Sequence, residues 1–172
     1  MEVVMNFQVG DPVVHWSHGI GKITGIEERM IADRQVLYYL VQIRDLTVCV
    51  PVDGDTSFRL RPPTSSQDFH KLFAILSSPG IPLPDDRLDR KSHLHGVMAD
   101  GTLQTICEVV RDLTHHSRRK QLNEDDKNTL KRASSMLCNE WAFSLSLSLP
   151  EVEEELNRLL APASADPAPA SG

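Results

Sequence analysis

The apolar positions of the chain change period near residue 62. From Phe7 to Val52 they alternate with polar residues, in short runs rich in Val, Ile and Tyr separated by Gly, Asp and charged turns. That is the signature of strands with one face in a core. Val13, Val14 and Trp16 follow Gly10-Asp11-Pro12 and read as a half-buried strand. Ser17-His18-Gly19-Ile20-Gly21 reads as a turn, and Ile20 to Ile26 as a strand alternating with polar residues and glycine. Val36 to Ile43 is the strongest strand candidate; Arg44-Asp45 turns the chain and Leu46 to Val50 returns as its hairpin partner. Pro51 is expected to end the ladder, because it has no N–H to pair. Phe58 to Arg61 would then close the sheet. Four or five short strands in about fifty residues predict a small, strongly bent sheet, an SH3- or Tudor-like barrel.

Past Pro62-Pro63 the period becomes helical. Ser65 with Asp68 starts a helix whose inner face is Phe69, Leu72, Phe73 and Leu76, and Ser77-Ser78-Pro79-Gly80 ends it. Asp85 or Asp86 caps a second helix carrying Leu94, Val97 and Met98, broken at Asp100-Gly101. Leu103, Ile106, Val110 and Leu113 form a third stripe, with Cys107 beside it. Asn123 with Asp126 opens a fourth helix that turns Leu130, Ala133, Leu137 and Trp141 inward. Ser148 and Glu151 have the spacing of a capping box, with Pro150 tolerated in the first turn and Val152, Leu156, Leu159 and Leu160 as the apolar face. The expected fold class is α+β, a small Tudor/SH3-like barrel over residues 5–63 followed by a compact all-helical domain over 64–161. Residues 162–172, rich in Ala and Pro, are expected to be a disordered tail.

Composition narrows the function. Of 172 residues, 24 are Asp or Glu and 18 are Lys or Arg, a net charge of −6 that argues against coating nucleic acid by bulk charge. Cys49, Cys107 and Cys138 sit in apolar runs without paired spacing and are expected to be buried, reduced thiols. The sequence has no run of the roughly 18 apolar residues a membrane span needs and no signal-peptide pattern at its start, so a cytoplasmic protein is expected. Met5 is an alternative start to Met1.

Catalytic patterns are missing. His93 and His95, two apart on a helix, face opposite sides, and His115-His116 diverge. No Cys-x-x-Cys or His-Glu-x-x-His pattern accompanies them. Gly19-x-Gly21 lacks the third glycine and the helix of a dinucleotide loop, and no Gly-x-Ser-x-Gly elbow occurs. Neither an enzyme, a cofactor, a metal nor a small-molecule substrate is expected.

A resemblance then gives direction. Phe7 to Ile26 reads F-x-V-G-D-x-V-V-x-x-x-x-G-x-G-x-I-x-x-I, and Leu46 to Pro51 reads L-T-V-x-V-P. Together they resemble the RNA-polymerase-interacting domain of the CarD/CdnL transcription regulators, a domain similar to one in the transcription-repair coupling factor. Leu83-Pro84, Ala99-Asp100-Gly101, Glu108 to Leu113 and Ser148 to Val152 resemble segments of the family's helical half. The resemblance implies a barrel that extends a sheet of the RNA polymerase β subunit. Its matching edge here is Leu46, Thr47, Val48, Cys49 and Val50, with Arg29 at the interface; Cys49 stands where some relatives carry arginine. It also implies a helical domain that contacts promoter DNA at the edge of the melted region and stabilises the open complex. Many relatives place a tryptophan wedge there; ungapped matching puts Arg87 at that position, with Leu88 next. Arg87, Arg90 and Lys91 form one basic patch suited to phosphates, although Asp85, Asp86 and Asp89 offset it. Arg118 and Arg119, with Lys120, form a second, which also suits the negative end of a helix dipole. A monomer is expected. The other reading is an adaptor whose helical half binds a protein and not DNA.

Overall fold

The structure, a computed structural model, describes residues 7–52 and 59–162. The chain forms two compact units, 1–63 and 64–172. The expectations for Met5, Phe58 and the tail beyond residue 162 lie outside the described residues.

The first unit is an antiparallel sheet of five strands: β1 (Pro12–His15), β2 (Gly19–Ile31), β3 (Arg34–Ile43), β4 (Leu46–Pro51) and β5 (Leu60–Arg61). Their spatial order is β4-β3-β2-β1-β5. One face gathers Val13, Ile23, Tyr39, Val41, Ile43, Val50, Val52 and Leu60, all buried, into a core. Burying an aliphatic side chain of this kind stabilises by about 1.5–3 kcal/mol. The register shifts between Ile23 and Gly25, a bulge that re-aims β2 where the sheet bends. Gly21 permits that packing: a Cβ there would lie 2.5 Å from the Gln42 carbonyl oxygen and from Ile43.

The strand expectations need three corrections. β2 has 13 residues and runs on through Arg29 to Ile31, where nearly every side chain is exposed, so no alternation marks it. Pro51 does not end the ladder, because it pairs with Tyr38 and the next N–H, of Val52, donates to the Leu37 carbonyl at 2.8 Å. Its missing N–H falls on the outer side of the strand. Cys49 is half-buried on β4 and not in the core, unlike Cys107 and Cys138.

The second unit packs five helices: α1 (Ser66–Ser77), α2 (Arg87–Asp100), α3 (Leu103–Ser117), α4 (Glu124–Leu145) and α5 (Leu149–Leu160). Ser65, Asp86, Thr102, Asn123 and Ser148 cap their starts, each accepting an amide of the first turn. Asn123 and Asp126 make a reciprocal box. Gly101, at φ 68°, ends α2 in the left-handed region. Trp141, fully buried, packs on Phe73 at 4.9 Å and Phe69 at 5.6 Å between ring centroids. Beside it Glu140 is equally buried, and its carboxylate accepts the Thr64 N–H at 2.9 Å, tying α4 to the start of α1.

The α+β expectation is borne out, with a β unit leading into a helical one. No helix among the described residues is long and apolar enough to cross a membrane.

Candidate interaction surfaces

On the sheet unit the notable surface is the β4 edge. β4 pairs only with β3, leaving its other side open among the described residues. Bonded and non-bonded pairs alternate along an antiparallel ladder. The Val52-to-Leu37 bond marks a bonded pair, so Val50, Val48 and Leu46 turn their amides toward β3. Thr47 and Cys49 therefore present N–H and C=O outward, and Pro51 presents C=O alone. The free edge offers two donors and three acceptors, enough for an added strand to pair over a short register.

The outer face beside that edge brings Arg29 and Cys49 together. Arg29 lies on β2, two strands from Cys49 on β4, and its guanidinium spans Tyr38 of β3 at 5.5 Å from the ring centroid. It reaches Cys49 Sγ at 3.5 Å and Glu27 at 3.2 Å, with about half of its side chain exposed. Tyr38 is the residue sequence reasoning missed. Its signal was its place opposite Glu27 in the hairpin, on the same face as Arg29. Thr47 donates to Gln42 at 2.7 Å, while Val48 and Val50 turn toward the core.

On the helical unit the basic residues separate into three environments. Arg87 and Lys91 are exposed on α2 and share Asp125 of α4, at 3.9 and 3.5 Å. Leu88 beside them is 73% exposed, an unusual place for a large apolar side chain. Arg119 and Lys120 lie near the entry to α2, Lys120 bonding Asp85 at 3.0 Å. That bond, with the ammonium charge, holds the Asp85 carboxyl below its ordinary range. Arg118 turns the other way and donates to the Leu160 carbonyl of α5.

Arg90 requires a correction, because it is no part of a surface patch. Its side chain is 7% exposed and its Nε and Nη2 clasp the Asp126 carboxylate at 2.8 to 3.1 Å. Nη1 donates to the carbonyls of Pro84 and Asp85. A guanidinium with these partners is committed to joining α2, α4 and the loop before α2. The apolar stripe contained the signal, since Arg90 stands one turn above Leu94 and two above Met98.

Among the described residues no group of three His, Cys, Asp or Glu side chains could hold a metal. Burial pushes the Cys107 thiol up to about 12 and the Cys138 thiol to about 11, far from a reactive thiolate.

Comparison with known proteins identifies the architecture. Residues 7–62 match the CarD-like/TRCF RID domain model and residues 71–157 the CarD C-terminal domain model. The chain belongs to the CarD family. It is also 31% identical over 140 residues, 78% of this chain and 89% of the relative, to a putative transcription factor, YdeB, of Bacillus subtilis (strain 168). As a CarD-family protein it is a transcription regulator whose partner lies in the transcription machinery. The family is one of transcription factors and not an enzyme class.

Proposed function

We propose that this CarD-family regulator docks on the RNA polymerase β subunit by adding a partner strand to its β4 edge, and contacts promoter DNA through the start of α2 to stabilise the open complex. The open edge, with the outward amides of Thr47 and Cys49, carries the reading. Arg29 supports it from the adjoining face, where a guanidinium over Tyr38 suits an acidic side chain on the partner. For DNA, the supporting residues are Arg87, Lys91 and Arg119, with Leu88 as an apolar projection among them. Cations at such positions pair with phosphates and an apolar side chain can enter a distorted groove. Arg90 is left out because its donors are already committed.

Arg29→Glu is expected to weaken co-purification with the β subunit and leave the melting temperature nearly unchanged; unaltered binding would remove Arg29 from the interface. The DNA half is tested by open-complex lifetime on one promoter, comparing the full chain with residues 1–63. A longer lifetime that needs the helical unit, and shortens with Arg87→Ala and Lys91→Ala, supports DNA contact. The adaptor reading draws on the acids Asp85 and Asp125, which already pair these cations, and an unchanged lifetime with polymerase binding intact would favour it.

A further inference from the structure

The helical unit has a cleft of about 170 Å³ where the end of α1, the later turns of α3 and the end of α5 meet. Leu76, Leu159 and Leu160 give it apolar walls. Arg111 and His115 line it from α3 and Arg118 from that helix's C-cap, at i, i+4 and i+7, the spacing of one helical face. No Asp or Glu side chain lines it among the described residues. In a chain of net charge −6, two guanidinium groups and an imidazole gathered on one recess run against the overall balance.

Internal bonding does not use these groups up. Arg111 is nine-tenths buried; its Nε bonds Asp112 at 2.9 Å and its Nη1 bonds the Ser78 hydroxyl at 2.9 Å. Asp112 in turn accepts the Ile81 N–H at 2.9 Å, so both residues pin the loop after α1. Arg111 Nη2 and the His115 ring carry no hydrogen bond among the described residues. Gly80 leaves room for His115, since a Cβ there would fall 2.6 Å from the His115 Cβ and 2.8 Å from its Cγ. Arg118 caps the α5 carbonyl with one nitrogen and keeps other donors free.

We infer that this cleft binds a small carboxylate with a short aliphatic body. The carboxylate would accept from Arg111 Nη2, Arg118 and His115, and the aliphatic part would cover Leu76, Leu159 and Leu160. Two guanidiniums favour an anion, while the apolar walls favour one that carries hydrocarbon over inorganic phosphate. The site is a ligand site and not a catalytic one, and its lining is separate from that of the recess at the start of α2. Arg118, the C-cap of α3, directly precedes Arg119, so an occupant that recruits Arg118 acts on the same turn as the basic residues facing Asp85.

The full chain, isotopically labelled, is titrated with sodium hexanoate while NMR follows the arginine Nε–H and His115 ring signals. The expected result is a saturable shift of Arg111, His115 and Arg118, with little response to hexanamide and weaker binding of inorganic phosphate. Arg118→Gln is expected to weaken hexanoate binding about tenfold, the loss of one charge-assisted hydrogen bond. No saturable shift with hexanoate would overturn the inference. So would an equal response to hexanamide, which would show a merely apolar recess, or phosphate binding as tight as hexanoate. These arms use the unaltered chain, so they decide the matter even if the variant unfolds.

Discussion

Arg90 and Asp126 show how one pair can invert the reading of a sequence. Asp89-Arg90-Lys91 looks like a solvated run, and a phosphate patch was its natural interpretation. The structure places the middle residue inside, with its carboxylate partner 3% exposed and also serving the α4 capping box. Removing one member of such a pair leaves an uncompensated charge in the interior, which costs about 3–5 kcal/mol. Arg90→Met is therefore expected to lower unfolding free energy by about 3 kcal/mol or more in urea titrations. Arg87→Met, exposed and paired only at 3.9 Å, should change it by less than about 1 kcal/mol. Similar effects of the two would contradict this separation of roles. Arg111, Asp112 and Glu140 were equally illegible, since helical periodicity reports which face is buried but not which polar groups find partners there.

At the scale of elements, the sequence was most readable where one face is buried and the other wet. The middles of β1, β3 and β4, all five helices and four of their caps follow from period and capping residues. Legibility failed where burial stops. The β2–β3 arm exposes both faces, and its turn uses Ala32 and Asp33 at φ 48° and 63° in place of the usual Asn-Gly. The glycines make a sharper test. Gly21→Ala should be strongly destabilising, because neither the Gln42 carbonyl nor Ile43 can yield 2.5 Å contacts without moving β3. Gly96→Ala, inside α2 with open space around it, should raise stability by about 0.5–1 kcal/mol. Thermal melts of the two variants should thus move in opposite directions.

For the whole molecule, each unit contains a histidine that resists protonation. In the sheet unit burial, then the charges of His18 and Arg59, lower His15 to about 4 from the ordinary 6.5. In the helical unit burial first, then Arg90, lowers His116. A lowered folded-state pKa means the unfolded chain takes up the proton first. Stability contributed by these groups is complete above about pH 6.5 and is lost as pH falls, for His15 down to about 4. Denaturant unfolding at pH 7 and pH 5 should show a weaker protein at pH 5, with His15→Gln reducing the slope for the sheet unit. An acid-independent midpoint over that range would refute the assignment. Neither histidine was legible as a titration site, because the sequence shows the imidazole but not its dry surroundings.

The one-sided hydrogen bonding of β4 has a consequence in time as well as in space. Amides bonded to β3, those of Val48 and Val50, should exchange with deuterated solvent slowly, at rates set by opening of the sheet. Those of Thr47 and Cys49, one residue away in each case, should exchange at nearly the rate of unstructured chain. A strand laid along the edge would slow just these two, and Pro51, having no amide hydrogen, would be silent throughout.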